Sequence, residues 1–206
     1  MIVKVCGMRE KENIQEVCRL PVDYIGFIFY PLSPRYAGQT QIPDTAPDIK
    51  RTGVFVNAAE KDILHIAQTY RLSAIQLHGN ESPEICTRLK SEVYTLIKAF
   101  SIAETGDLHF LNKYEGCTDY FLFDTKSNHY GGSGKQFDWS ILKDYTGKTP
   151  FLLSGGIKPE SLSSLRSFSH PQWIGIDINS GFEVKPGEKN IPLLKDFIYK
   201  LKEYEQ

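Results

Sequence analysis

The sequence has no excess of charge of either sign. Its 206 residues include 24 Lys and Arg against 25 Asp and Glu, which gives a formal net charge of −1. A protein that neutralises nucleic-acid phosphates concentrates Lys and Arg on one face, and this composition supplies no such surplus. We therefore expect no nucleic-acid partner.

Long apolar runs are also absent from the sequence. No stretch approaches the roughly 18 apolar residues that a membrane-spanning helix requires. A secretory signal would begin with a basic segment and about 7 to 15 apolar residues, whereas the opening MIVKVCGMRE places an ionisable side chain every few positions. The sequence therefore predicts no membrane partner and a cytoplasmic location.

Metal-binding patterns are missing as well. The four cysteines, Cys6, Cys18, Cys86 and Cys117, are far apart and form no CxxC pair, so neither a zinc site nor a thioredoxin-type redox motif is indicated. The five histidines show no spacing typical of metal ligands. We predict reduced thiols and no metal.

What the sequence does contain is a set of short runs rich in β-branched and aromatic residues, which are typical of strands. The eight runs are IVKVCG, YIGFIF, TGVFVN, AIQLHG, TLIKAF, YFLFDT, FLLSGG and WIGIDINSG. Their ends lie about 21 to 30 residues apart, which is room for one strand, one helix and two loops in each unit. Eight units favour a closed (β/α)₈ TIM barrel over an open doubly wound sheet, and the LxxLxL spacing of a leucine-rich solenoid is absent. We predict one barrel domain over residues 1–206.

Helical patterns lie between these predicted strands. Lys11 to Leu20 and Glu60 to Tyr70 each place apolar side chains on one stripe. A third helix is expected to begin near Asn80 to Glu84, with Ser82 as its cap and Pro83 at its first position.

The carboxyl ends of the strands form the functional face of such a barrel. Cys6 ends the first predicted strand, Gln76 and His78 end the fourth, and Asp124 ends the sixth. Since side chains alternate along a strand, Lys4 and Cys6 share one face of theirs. If that face and the face carrying Asp124 point inward, the thiol and the carboxylate lie in one cavity.

Two glycine turns, LLSGGIKPE and DINSGFE, follow the seventh and eighth strands. The loops after these strands hold a phosphate in many barrels, because glycine lets the backbone approach the anion closely. We therefore assign Gly155, Gly156, Ser180 and Gly181 to phosphate binding. Asp177, at the end of the eighth strand, is assigned with Gln76 and His78 to substrate binding.

The longest polar region, Thr125 to Asp138, follows the sixth strand and is a candidate lid. Its cluster YGGSGKQ suggests a Walker loop but fails the pattern. Gln136 stands where Ser or Thr should hold magnesium, and His129 stands where the first glycine belongs.

These motifs together resemble the phosphoribosylanthranilate isomerase family of tryptophan biosynthesis over nearly the whole chain. The motifs that carry the resemblance are VKVCGMR, GFIFYPLSPRYAG, GVFVN, IQLHGNESPE, FDTKSNHYGGSGKQFDW, LLSGGI and DINSGFEVKPGEKN. The resemblance implies that Cys6 is the general base and Asp124 the general acid. It implies a phosphorylated sugar as substrate, with no metal or organic cofactor. The family ending usually reads SGVE with PGxKD, where this chain has Phe182 and Asn190.

The resemblance also implies contacts at both ends of the substrate. Arg35 of the SPR motif is implied to bind the anthranilate carboxylate, and the glycines after strands seven and eight the phosphate. The implied reaction is an Amadori rearrangement, which needs an acid to protonate the furanose ring oxygen and a base to remove the proton at C2′. A cation such as Lys4 near Cys6 would favour its thiolate.

The same residues allow other interpretations. A cysteine in a strand is most often a buried small apolar residue, and only the flanking VKxCG motif favours the functional interpretation here. Lys98 could form the imine of an aldolase, and the related histidine-pathway sugar isomerase uses a carboxylate where this chain has Cys6. A catalytically silent phosphoribosyl-binding protein is the alternative from another class. The chain is expected to be a monomer or a homodimer.

Overall fold

The core of the protein is a closed barrel of eight parallel strands, β1 to β8. The computed structural model describes residues 1–90, 93–125 and 138–203. In chain order the strands span Ile2–Val5, Tyr24–Ile28, Lys50–Phe55, Ala74–Leu77, Thr95–Ile102, Tyr120–Thr125, Phe151–Leu153 and Trp173–Ile178. Each strand falls on one of the eight predicted runs, and the TIM barrel is confirmed. The assignment of the whole chain to a single domain stays a prediction.

The strands pair in sequence order, and β8 closes the barrel by pairing with β1, where Lys4 lies opposite Asp177. Both faces of the strands are buried, as expected for a parallel sheet covered by helices. An apolar cluster of alternating residues fills part of the interior; it comprises Ile97, Ala99, Leu122 and Leu152. Buried polar side chains, among them Lys4, Gln76 and Asp177, occupy other positions on the strands. The polar residues are therefore concentrated where the strands approach their carboxyl ends.

The described residues include five α-helices, α1 to α5, which span Lys11–Val17, Glu60–Thr69, Pro83–Lys90, Leu162–Ser167 and Ile191–Glu203. The first two begin where the sequence pattern predicted. Helix α3 begins at Pro83, and the carbonyl of Ser82 accepts its first hydrogen bond, from Cys86 N at 3.1 Å, so the predicted cap position is confirmed. Helix α1 ends earlier than expected, because Leu20 N bonds to Val17 O in a tighter turn. Within the described ranges, no helix has the length and apolarity to cross a bilayer.

The expectation of one helix in every gap is wrong after β2 and after β5, and the described residues 138–150 between β6 and β7 contain no α-helix. The described residues 29–49, between β2 and β3, contain no α-helix, and prolines there remove backbone donors. These prolines are Pro31, Pro34, Pro43 and Pro47. After β5 and β6, 3₁₀ helices over Thr105–Tyr114 and Trp139–Asp144 stand where α-helices were expected. The predicted lid, Thr125 to Asp138, falls on residues 126–137 except at its two ends, and those residues, with the glycine cluster, lie outside the described residues.

A C-terminal hairpin, which no pattern in the sequence predicted, follows β8. Its strands β9 and β10 span Glu183–Lys185 and Glu188–Lys189. Phe182, just before it, is fully buried and packs on Phe197 with ring centroids 4.7 Å apart. Asn190, just after it, accepts a hydrogen bond from Leu193 N through Oδ1 at 3.2 Å and caps α5. Both departures from the family ending thus have a structural role, since Asn caps a helix as well as Asp does.

Candidate active site

A cavity opens at the carboxyl ends of the strands, with an empty volume of about 710 Å³ including its mouth. Eight predicted site residues line it, namely Cys6, Gln76, His78, Asp124, Gly155, Gly156, Asp177 and Ser180. The other walls are Ile28, Tyr30, Ser33, Val54, Val56, Ser154, Ile157 and Asn179. Arg35 and Gly181 are not among the described residues that line the cavity. The thiol of Cys6 and the carboxylate of Asp124 share one cavity, as the alternation predicted.

Cys6 directly follows β1 and is only 4% exposed. Its backbone N donates to Ile178 O at 2.9 Å, which continues the pairing of β1 with β8. On β2, a Cβ at Gly26 would lie 2.8 Å from Cys6 Sγ, so the glycine leaves the space that the thiol occupies. Burial raises the pKa of Cys6 above its usual value, and the charge of Lys4 opposes this effect. Burial thus opposes ionisation of the thiol, and the charge of Lys4 favours it.

Two buried ammonium groups lie near this thiol. Lys4 Nζ donates to Asp177 Oδ1 at 2.8 Å, and both side chains are buried. Burial alone lowers the pKa of Lys4, but the charges of Asp177 and Cys6 outweigh it and raise the pKa above its usual value. The charge of Lys189 also lowers the pKa of Cys6. A thiolate formed at Cys6 would therefore be stabilised by both lysines.

Asp124 lies at the end of β6 and interacts with the residue that follows β4. His78 Nε2 is 3.2 Å from Asp124 Oδ2, and their side chains are 25% and 19% exposed. Gln76 Nε2 is in turn 2.9 Å from His78 Nδ1. The carboxylate thus lies at the cavity end of a row of three polar side chains, Gln76, His78 and Asp124.

The glycine turn after β7 forms another part of the wall. Gly155 and Gly156 have φ angles of 75° and 68°, the left-handed region that favours glycine. Two consecutive residues of this kind turn the chain sharply and present backbone without side chains to the cavity. Gly181 leaves no room for a side chain, because a Cβ there would collide with the carbonyl oxygen of Ile157. It allows the loops after β7 and β8 to pack against each other.

Arg35 is bound by Glu183 of the C-terminal hairpin. Its Nε donates to Glu183 Oε1 and Oε2 at 2.9 and 3.0 Å, and its Nη2 donates to Oε2 at 2.6 Å. Lys189 Nζ donates to Glu183 Oε1 and to Asn179 Oδ1, both at 2.7 Å. Burial opposes ionisation of Glu183, but Arg35 and Lys189 hold its pKa below the usual value. This network ties the loop after β2 to the hairpin beside the cavity.

Comparisons with known proteins agree with this arrangement. The family model described as N-(5'-phosphoribosyl)anthranilate (PRA) isomerase matches residues 3–200. The chain belongs to this family. It is 53% identical over 206 residues to the N-(5'-phosphoribosyl)anthranilate isomerase of Parabacteroides distasonis, covering 98% of this chain and 93% of the relative.

Solved structures of the PRA isomerase family have the same fold. The enzyme from Thermotoga maritima superposes with a TM-score of 0.84 at 34% identity, covering 98% of this chain and 100% of that chain. A PRA isomerase in complex with reduced 1-(o-carboxyphenylamino)-1-deoxyribulose 5-phosphate superposes with a TM-score of 0.82 at 32% identity, with the same coverage. Family membership makes this chain an isomerase.

In this member of the PRA isomerase family, Lys98 does not point into the barrel, as an imine-forming lysine would. Its neighbours Ile97 and Ala99 face the barrel interior, so alternation directs Lys98 outward. Its Nζ lies 3.3 Å from Glu81 Oε2 and donates to Gly79 O at 2.8 Å. The aldolase alternative therefore has no support from the position of this lysine.

The sequence did not indicate that several other polar residues lie around the site. Glu183 and Lys189 lie within the motif EVKPGEKN. The alternation of acidic and basic residues in this motif is the signal that could have indicated their ion pair. Glu81 gave less indication, since an acidic residue just before a helix usually serves the helix N-terminus. Within the described ranges, no group of three or more His, Cys, Asp or Glu side chains could hold a metal ion. The absence of a metal stays a prediction.

Proposed function

We propose that this chain catalyses the Amadori rearrangement of N-(5′-phosphoribosyl)anthranilate to 1-(2-carboxyphenylamino)-1-deoxyribulose 5-phosphate in tryptophan biosynthesis. The observation that carries the proposal is the placement of the Cys6 thiol and the Asp124 carboxyl in one cavity. They come from β1 and β6, which are not neighbours in the barrel. An acid and a base can therefore reach different atoms of one bound sugar.

The acid step is assigned to Asp124. Its protonated carboxyl gives a proton to the furanose ring oxygen, the bond between that oxygen and C1′ breaks, and the nitrogen lone pair forms a C=N bond. Asp124 is left as a carboxylate, next to His78 at 3.2 Å. The position of Asp124 at the cavity wall supports this assignment, because its side chain is less exposed to solvent there than a surface carboxylate is.

The base step is assigned to Cys6. Its thiolate removes the proton at C2′, the electrons of that C–H bond form a C=C bond to C1′, and the iminium nitrogen becomes neutral. The enolamine then becomes the ketone, and exchange with water returns Cys6 and Asp124 to their starting protonation states. Because burial raises the pKa of the thiol, the positive charges of Lys4 and Lys189 are what favour the thiolate.

Substrate binding is proposed to divide between two sides of the cavity. The backbone of Gly155 and Gly156, with Ser180 opposite, is suited to hold the phosphate. On the other side Ile28, Val54 and Val56 offer an apolar wall for the anthranilate ring.

The contact between Arg35 and the anthranilate carboxylate is also part of the proposal. Glu183 engages Nε and Nη2 of Arg35, so the substrate carboxylate would bind through Nη1. We further propose that the enzyme acts in the cytoplasm as a monomer or homodimer without a metal or organic cofactor.

Anthranilate fluorescence tests the proposed activity. Phosphoribosylanthranilate made in situ loses its fluorescence as an isomerase consumes it, so the purified protein should abolish the signal at a rate proportional to its concentration. A protein that binds the reduced product analogue tightly but leaves the fluorescence unchanged would instead be the silent phosphoribosyl-binding protein.

A further inference from the structure

His78 is held between a neutral amide and the proposed acid. Gln76 Nε2 lies 2.9 Å from His78 Nδ1, and His78 Nε2 lies 3.2 Å from Asp124 Oδ2. Gln76 is completely buried, and its Oε1 has no hydrogen-bond partner among the described residues. In this orientation the amide presents its N–H₂ group to the imidazole.

This arrangement fixes which imidazole nitrogen carries the proton. An amide N–H₂ group can only donate, so His78 Nδ1 must accept and the neutral ring carries its proton on Nε2. The protonated Nε2 then lies 3.2 Å from Asp124 Oδ2. A donor in this position interacts more strongly with a carboxylate than with a neutral carboxyl, since hydrogen bonds to charged groups are the stronger ones.

We propose that His78, oriented by Gln76, is a positioning residue that stabilises the Asp124 carboxylate as Asp124 gives its proton to the sugar ring. This inference rests on the proposed function, because it assigns the pair to the acid step and not to substrate contact. The interaction of His78 with Asp124 strengthens as negative charge develops on the carboxyl, so its contribution belongs to the transition state and to kcat.

The backbone on both sides of His78 is anchored to keep this geometry. His78 N donates to Phe55 O at 2.8 Å. Gly79 N donates to Glu81 Oε2 at 2.9 Å, and Gly79 O accepts from Lys98 Nζ at 2.8 Å. Glu81 and Lys98 form a buried ion pair with each other. The ion pair between Glu81 and Lys98, outside the barrel wall, thus fixes the loop that carries the His78 imidazole.

The kinetic test compares two substitutions of one residue. His78→Gln keeps an N–H donor within reach of Asp124, whereas His78→Leu keeps bulk but no donor. We expect His78→Leu to lower kcat by about 10- to 100-fold, with little change in affinity for the reduced product analogue, and His78→Gln to recover most of that loss. Thr52→Val is the matched control: Thr52 is buried on the adjacent β3, its hydroxyl has no partner among the described residues, and it does not line the cavity.

Three kinetic outcomes would overturn the role of His78. Equal losses in both His78 variants would indicate packing alone, and loss of analogue affinity with unchanged kcat would indicate a substrate contact. A comparable loss in Thr52→Val would show that any buried polar deletion lowers kcat. If the parent protein itself does not isomerise phosphoribosylanthranilate, the proposed function fails whatever the variants do.

A second measurement needs no activity. Nitrogen-15 NMR of the imidazole rings distinguishes the two neutral tautomers, and the signals of His78 are those that disappear in His78→Gln. Protonation at Nε2 in the free protein supports the proposal. Protonation at Nδ1 alone would contradict it.

Discussion

Single residues around Cys6 combine a buried thiol with two buried lysines, and the sequence revealed this only in part. The alternation in VKVCG predicted that Lys4 and Cys6 share a face. It could not predict that Asp177, at a sequence separation of 173, accepts the Lys4 hydrogen bond. That contact depends on closure of the barrel between β1 and β8, which no local pattern encodes.

Replacing Lys4 tests its influence on the thiol. Lys4→Met removes a positive charge that lowers the pKa of Cys6, so the pH at which Cys6 reacts with iodoacetamide should rise. Peptide mass spectrometry can follow this residue separately from the other cysteines. Lys98→Met is the matched control, since Lys98 is also a buried lysine paired with a carboxylate, and it should leave the Cys6 profile unchanged. An identical shift in both variants would argue against a direct effect of Lys4.

Secondary-structure elements were predictable where one periodicity dominated. All eight strands agreed with their runs, and α3 began at Pro83 as its cap and proline signals predicted. The 3₁₀ helices and the C-terminal hairpin were not predicted, because their short segments have no sustained apolar period. Arg35 shows the consequence for the site: its loop was recognised, but its partner Glu183 lies on the unpredicted hairpin.

The glycine turn after β7 gives a prediction for substrate binding. Gly156→Val should raise KM for the phosphorylated substrate more than it lowers kcat, because the phosphate is remote from the bonds that change. Inorganic phosphate should compete with substrate for the parent protein and compete less well in the variant. Gly116→Val controls for backbone strain, since Gly116 also has a positive φ, of 78°, with open space around its Cβ position. A similar rise in KM in both variants would contradict the phosphate assignment.

The hairpin gives a prediction for acid stability. The pKa of Glu183 is lowered in the folded protein, so its ionisation stabilises the fold above its unfolded pKa of about 4.3 and this contribution is lost as pH falls through the folded value. Urea unfolding at neutral pH should show Glu183→Gln to be less stable than the parent. The difference should shrink as pH falls from about 4.3 through the lower folded pKa, below which the parent carboxyl is also neutral. A difference that is independent of pH would mean that the variant changes packing and not charge.

The overall fold could be predicted from the number of apolar runs in the sequence. Eight apolar runs at similar spacing predict a barrel, and the barrel brings the ends of distant strands to one face. This is why residues as far apart as Cys6, Asp124 and Asp177 could be assigned to one site before any contact was known. Which side chains hydrogen bond there could not be assigned, since that depends on the exact register and on loops.

Catalysis without a metal is a prediction for the complete enzyme. Exhaustive chelation should leave the isomerisation rate unchanged, because the proposed acid and base need no Lewis acid. The assay should be preceded by dialysis against chelator and followed by addition of single divalent metals. Loss of activity that one metal restores would refute the proposed acid–base chemistry.

The most direct test of the account is the turnover of Cys6→Ser in purified, folded protein. Serine nearly keeps the size of the side chain but does not ionise in the accessible pH range, so kcat should fall by at least about 10² to 10⁴ while affinity for the reduced product analogue is preserved. Asp124→Asn, which removes the transferable proton at almost constant volume, should behave in the same way. If Cys6→Ser instead retains near-full kcat, the thiol is structural and the mechanism proposed here is wrong.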